Sequence, residues 1–139
     1  MTVITKMMRI KTKGELQMIN ITEEVSRVVE DSKIKDGIAT VFVPGSTAAV
    51  TTIEYEPGLL KDFPIMLERV APKNSDYEHE NMWHDGNGHS HVRASLVGPS
   101  LMVPFTNKQL TLGTWQQIVL VELDIRSRDR NLVVQVIGE

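Results

Sequence analysis

From Val92 to Ile137 the chain reads as a succession of β-rich runs: Val92 to Val97, Leu101 to Phe105, Gln109 to Leu112, Thr114 to Leu123 and Leu132 to Ile137. Gly98-Pro99, Thr106-Asn-Lys108 and the stretch Arg126-Ser-Arg-Asp-Arg130 supply most of the breaks between them. Links this short cannot hold the crossover helix that joins parallel strands, so the runs pair antiparallel. A chain with such a second half is confined to a sheet, a sandwich or a barrel.

The first half adds helices. Val3 to Lys13 alternates imperfectly between apolar and polar residues, and Leu16 to Ile21 follows the break at Gly14, which predicts an opening β-hairpin. Thr22 offers an N-cap oxygen ahead of Glu23 and Glu24, and Val25, Val28 and Val29 recur at helical spacing as far as the breaker at Lys33 to Gly37. Ile38 to Val43 and Ala49 to Ile53 are short strands on either side of a small-residue loop beginning at Gly45. Leu59, Leu60, Phe63, Met66, Leu67 and Val70 mark a second helix ending before Pro72, with Pro64 expected in its first turn or at a late start. The expectation is an α+β fold: an antiparallel β-sheet, flattened barrel or sandwich with two helices packed on it, in one domain over residues 1–139.

Composition narrows the chemistry. Charged residues make up 24% and hydrophobic ones 41%, the balance of an ordinary globular chain. There is no cysteine, which excludes disulfides and thiolate chemistry and leaves nitrogen and oxygen as the only metal donors. The net charge is -3, and the one basic cluster, Arg126 to Arg130, reads as a solvated hairpin turn, so no nucleic-acid partner is expected. No segment approaches the roughly 18 apolar residues of a membrane span, and a cytoplasmic location is expected. P-loop, dinucleotide and nucleophile-elbow motifs are absent.

All four histidines, at 79, 84, 89 and 91, fall within thirteen positions. His89 and His91 lie two apart at the entrance of an expected strand, where both side chains share one face. His79 supplies a third nitrogen across a glycine-containing loop, with His84 competing, as a divalent ion requires when a position is left for water or substrate. Zinc suits these donors best, with magnesium or manganese as alternatives. Asp85, Glu78 and Glu80 are placed to ligate or to orient an imidazole. Against this stands the reading of a polar loop whose histidines bind nothing.

Arg93 continues the same strand parity and is a candidate for gripping a phosphate or carboxylate. Ser46 and Thr47 offer hydroxyls and backbone N–H groups to an anion, while Glu54 and Glu56 close a strand where a carboxylate can act as a base. Trp83 and Trp115 are expected to pack.

These motifs, taken in order, resemble a family. Pro44-Gly-Ser-Thr-Ala-Ala49, Thr52-Ile-Glu54, Tyr77-Glu-His79, His91-Val-Arg-Ala-Ser-Leu-Val-Gly98, Leu112-Gly-Thr-Trp-Gln116 and the terminal Val134-Gln-Val-Ile-Gly-Glu139 look like the YjbQ family. The resemblance implies a compact α+β fold around an antiparallel sheet, a homotrimer, and a metal or anion site near subunit boundaries. It also implies a weak thiamine-phosphate synthase activity on small phosphorylated substrates, joining hydroxymethylpyrimidine diphosphate to thiazole phosphate. The family's pattern falls on Thr47, Glu54, His79, His91, Arg93 and Gln116. Many members carry a histidine where this chain has Gly45, and His89 is the expected substitute.

The expected site therefore comprises Glu54, Asp85 and Arg93 in catalysis, Ser46, Thr47, Arg93 and Gln116 on the substrate, and His79, His89 and His91 on a divalent metal. Two other classes compete: a metal-dependent hydrolase with Glu54 or Asp85 as base, and a non-catalytic trimeric module that binds a metal or small ligand.

Overall fold

Arg130, Leu132, Val134, Val136 and Gly138 are buried while the residues between them are not, the period-two pattern of a strand with one face on a core. The computed structural model describes residues 1–139 and places this strand, β8 (Asp129–Gly138), inside a five-stranded sheet. Its neighbours are β1 (Thr2–Lys11) on one side and β3 (Gly37–Phe42) on the other, followed by β5 (Ser100–Thr106) and β6 (Gln109–Leu110). A second, three-stranded sheet runs β2 (Gln17–Asn20), β7 (Gln117–Glu122), β4 (Ala48–Ile53). Every pairing in both sheets is antiparallel.

Four helices complete the α+β fold: α1 (Thr22–Ser32), α2 (Leu59–Val70), α3 (Glu78–Trp83) and α4 (Gly88–Val97). The inner faces of the two sheets meet through Val41, Val43, Val50, Ile118, Leu120, Leu132 and Val134, with Val25 of α1 against them. Each such fully buried aliphatic side chain contributes about 1.5–3 kcal/mol. The other face of the small sheet is covered by Leu67 of α2 and Ala94 of α4, packed on Val119 and Val121. Thus α4 lies on the small sheet, on the side away from the large one.

The opening strands do not form a hairpin. β1 pairs with β8 and β2 with β7, so the turn at Gly14 carries the chain from one sheet to the other. The loops between β3 and β4 and between β7 and β8 make the same crossing. A hairpin expected from proximity in sequence is thereby replaced by a sandwich corner.

At this corner the buried polar residues gather. Glu122 accepts hydrogen bonds from Thr12 Oγ1 (2.6 Å) and from Arg130 Nε (3.0 Å) and Nη2 (2.5 Å). Asp124 accepts from Thr47 Oγ1 (3.0 Å) and Arg128 Nε (2.9 Å). The arginine cluster is a solvated turn only in part: Arg126 and Arg128 are exposed, but Arg128 pairs with the fully buried Asp124 carboxylate and Arg130 is buried in β8. Burial pushes the Asp124 carboxyl up, but the Arg126 backbone N–H, Arg128, Thr47 and Asn87 outweigh it and hold its pKa below the ordinary value.

Two further expectations change. Pro64 lies inside α2, where its missing N–H leaves the Leu60 carbonyl without a helical donor. Val92 to Val97 is helical, not extended. Its buried side is Ser90, Arg93 and Ala94, at spacings of three and four residues, but two of these are polar and conceal the helical period.

Candidate metal centre

The segment joining α3 to α4 is built by its own side chains. His84 ends α3 in the left-handed region (φ 51°). The Glu80 carboxylate then accepts the backbone N–H groups of Gly86 (2.8 Å) and Gly88 (2.7 Å), and Asp85 Oδ1 accepts that of Asn87 (3.0 Å). Gly86 has φ +75°, a conformation that suits glycine at this sharp reversal. The reversal folds the start of α4 back toward α3.

His79 at the start of α3, Asp85 in the loop and His91 in the first turn of α4 consequently converge. One ligand atom from each lies within 4.8 Å of the others, and all three residues are partly buried. His79 Nε2 is 3.2 Å from Asp85 Oδ1 and 3.4 Å from Oδ2. The His79 and His91 rings stand 4.3 Å apart between centroids at 46°. Two imidazoles and a carboxylate are the donors that zinc-like ions prefer, and donors bonded tetrahedrally at about 2.0–2.2 Å lie roughly 3.3–3.5 Å from one another. The residues fit such an ion and leave room for a further ligand.

Electrostatics supports the same donor set. The Asp85 pKa is lowered, first by the hydrogen bond from the Asn87 backbone N–H and then by the neighbouring His79 and His91, although burial acts the other way. Its carboxylate is thus ionised and available at neutral pH. A recess of about 260 Å³ opens beside His91, bordered by Gly45, Ser46 and Ser95.

The other expected site residues are placed differently. Two residues apart on a helix lie about 200° apart around its axis, so His89 points away from His91. It is 2% exposed and its Nε2 is 2.6 Å from Glu15 Oε1, in the turn between β1 and β2. Arg93, also turned from His91, is 1% exposed and donates to the Ala71 carbonyl (2.9 Å) and Glu68 (2.7 Å), tying α4 to the end of α2 rather than facing a substrate. Thr47 is buried, donating to Asp124 and accepting from Arg130 (2.9 Å). Ser46 remains exposed on the recess, and His84 is exposed outside the group.

Glu54 and Gln116 share a separate recess with Trp115. It lies at the far end of β4, about 17 Å of strand from the Ala48 end that borders His91. Trp83 and Trp115 do not pack: they are 68% and 73% exposed.

At Gly45 the backbone has φ +123°, and a Cβ there would lie 2.9 Å from Arg130 Nη1. A side chain at this position would be strained by the backbone and would have to displace the end of Arg130, and His89 does not stand in for it. The third potential donor is Asp85. Asn87, Asp124 and Glu15 were missed as candidates because their roles depend on the α4 helix and the sandwich corner.

A two-sheet α+β sandwich with a nitrogen and oxygen donor group at the start of a covering helix defines the class. Within it, the chain belongs to the YjbQ family: the model for UPF0047 protein YjbQ-like matches residues 6–139. A UPF0047 protein of Methanothermobacter thermautotrophicus is 41% identical over 139 residues, spanning 100% of this chain and 95% of the relative. UPF0047 protein YugU of Bacillus subtilis is 36% identical, spanning 96% and 98%. The crystal structure of a YbjQ-like protein of unknown function from Sulfolobus solfataricus superposes with a TM-score of 0.92 at 34% identity, covering 99% of each chain.

Proposed function

We propose that this chain is an enzyme acting on a small phosphorylated substrate at a divalent ion held by His79, Asp85 and His91. The observation that carries the reading is the convergence of these three donors beside the recess at Ser46. A divalent ion bound there supplies charge stabilisation to phosphate oxygens. The chain's own contribution is to orient its donors from two helices and a braced loop, and to present the Ser46 hydroxyl and adjoining backbone to the substrate.

The reaction that the family resemblance favours is thiamine-phosphate synthesis. The thiazole nitrogen forms a bond to the pyrimidine methylene carbon, the bond from that carbon to the diphosphate oxygen breaks, and diphosphate leaves with the electron pair. Metal-loaded protein supplied with both substrates is expected to form thiamine phosphate at a low rate that falls at least tenfold in His91→Ala. Phosphate release from simple esters, with no coupled product, would instead favour the hydrolase reading, in which Glu54 cannot reach the ion within one chain.

The family resemblance implies a homotrimer, and in that assembly the recess at Glu54 and Gln116 of one subunit would face the donors of the next. Exposed Met82 (75%) and Trp83 beside the donors, and exposed Trp115 beside Glu54, are the kind of side chains that interfaces cover.

A further inference from the structure

Asn87 contacts the donor group on both sides without itself offering a ligand. Its backbone N–H donates to Asp85 Oδ1 (3.0 Å), and its carbonyl accepts the His91 N–H (3.0 Å), the bond that closes the first turn of α4. Three of the four hydrogen-bonding positions of its side chain are filled. Oδ1 accepts from Ser90 Oγ (2.9 Å) and the Ile125 N–H (3.1 Å), and Nδ2 donates to Asp124 Oδ1 (3.2 Å). The residue is 2% exposed.

Each bond has a separate consequence. Asp124 is fixed by Thr47 and Arg128 at the sandwich corner, so the Asn87 side chain is anchored to the rigid part of the fold. The Asn87 main chain is thereby fixed too, and from it hang the Asp85 carboxylate and the His91 turn. The Glu80 carboxylate, on the Gly86 and Gly88 N–H groups, braces the loop from α3, and His89 ties the start of α4 to Glu15 in the β1–β2 turn. Asn87 alone bonds directly to both the Asp85 carboxylate and the His91 main chain while its side chain reaches Asp124, just past the end of β7.

We propose that Asn87 is a positioning residue of the metal centre, setting the separation of Asp85 and His91 through its hydrogen bond to Asp124. The inference rests on the metal reading above. Asparagine is suited to the task because its amide both donates to a buried carboxylate and accepts two N–H or O–H donors. Aspartate would keep the acceptors but set a second carboxylate against Asp124.

The test is a titration of the full-length protein with zinc, by calorimetry, and with cobalt(II), by its visible absorption, which reports ligand geometry. Variants are Asn87→Ala, Asn87→Asp, His91→Ala and, as a stability control, Val136→Ala in the core distant from the site. Removing an orienting partner of a metal ligand typically costs 10–100-fold in affinity. Asn87→Ala and Asn87→Asp are expected to bind zinc about that much more weakly, with an altered cobalt spectrum and retained secondary structure. Val136→Ala lowers the melting temperature but leaves affinity and spectrum unchanged. Wild-type affinity and spectrum in Asn87→Ala, while His91→Ala abolishes binding, would overturn this inference alone. No binding by the wild-type protein would overturn the metal reading and this inference with it.

Discussion

His89 shows how a single side chain can serve the fold in place of the site. It bonds Glu15 at 2.6 Å, and Glu15 also accepts from Lys73 Nζ at 2.7 Å, so one carboxylate links the β1–β2 turn, the residues after α2 and the start of α4. Burial pushes the Glu15 pKa up, but its bonds to Lys73 and His89 and their charges leave it below the ordinary value. A carboxylate with a lowered folded pKa contributes stability above the usual range of about 4, and that contribution is lost as the pH falls through the folded value. His89→Ala is accordingly expected to lose about 1–3 kcal/mol at neutral pH, the cost of breaking such a buried bond, and to lose less than the wild type on further acidification. Urea denaturation of both proteins at neutral pH and below pH 4 measures this; an unchanged neutral stability would contradict the role.

At the scale of elements, the corner where β1, β3 and β7 leave their sheets depends on Arg130 and Glu122. Both are buried, with Thr12 and Thr47 completing their hydrogen bonds. Arg130→Met leaves the Glu122 charge uncompensated and is expected to cost about 3–5 kcal/mol, much of it recovered in Arg130→Met with Glu122→Leu. Equal destabilisation of the single and double variants in denaturant titrations would argue against a charge-paired corner. Little of this corner was legible in the sequence, because alternating Arg126, Arg128 and Arg130 all look like a solvated turn, whereas the fold buries Arg130 and leaves Arg126 and Arg128 exposed. α4 was hidden for a related reason. Ser90 and Arg93 occupy buried positions that pattern reading reserves for apolar residues, and Val92 and Val97 supplied a β signal in their place. That one misreading put His89 and His91 on a common face, whereas the helix separates them.

For the whole molecule, antiparallel pairing, the α+β class and the first two helices were readable, since alternating Leu132, Val134 and Val136 and the spaced valines of α1 report burial directly. A sandwich was one of the readable architectures, but which strands share a sheet was not, because partners such as β1 and β8 lie at opposite ends of the chain. If three subunits share their sites, Glu54→Gln and His91→Ala proteins, each inactive alone, are expected to regain part of the proposed synthase activity when mixed and reassembled; light scattering checks that trimers form. A stable, fully active monomer would contradict sharing. Metal content of the purified, untagged protein, after incubation with zinc and removal of excess, reports on the three donors themselves. Near one equivalent per chain is expected in the wild type and in His89→Ala, with loss of the ion in His79→Ala and His91→Ala. An ion that is lost from His89→Ala but retained by His91→Ala, or no ion in any of them, would contradict that donor set.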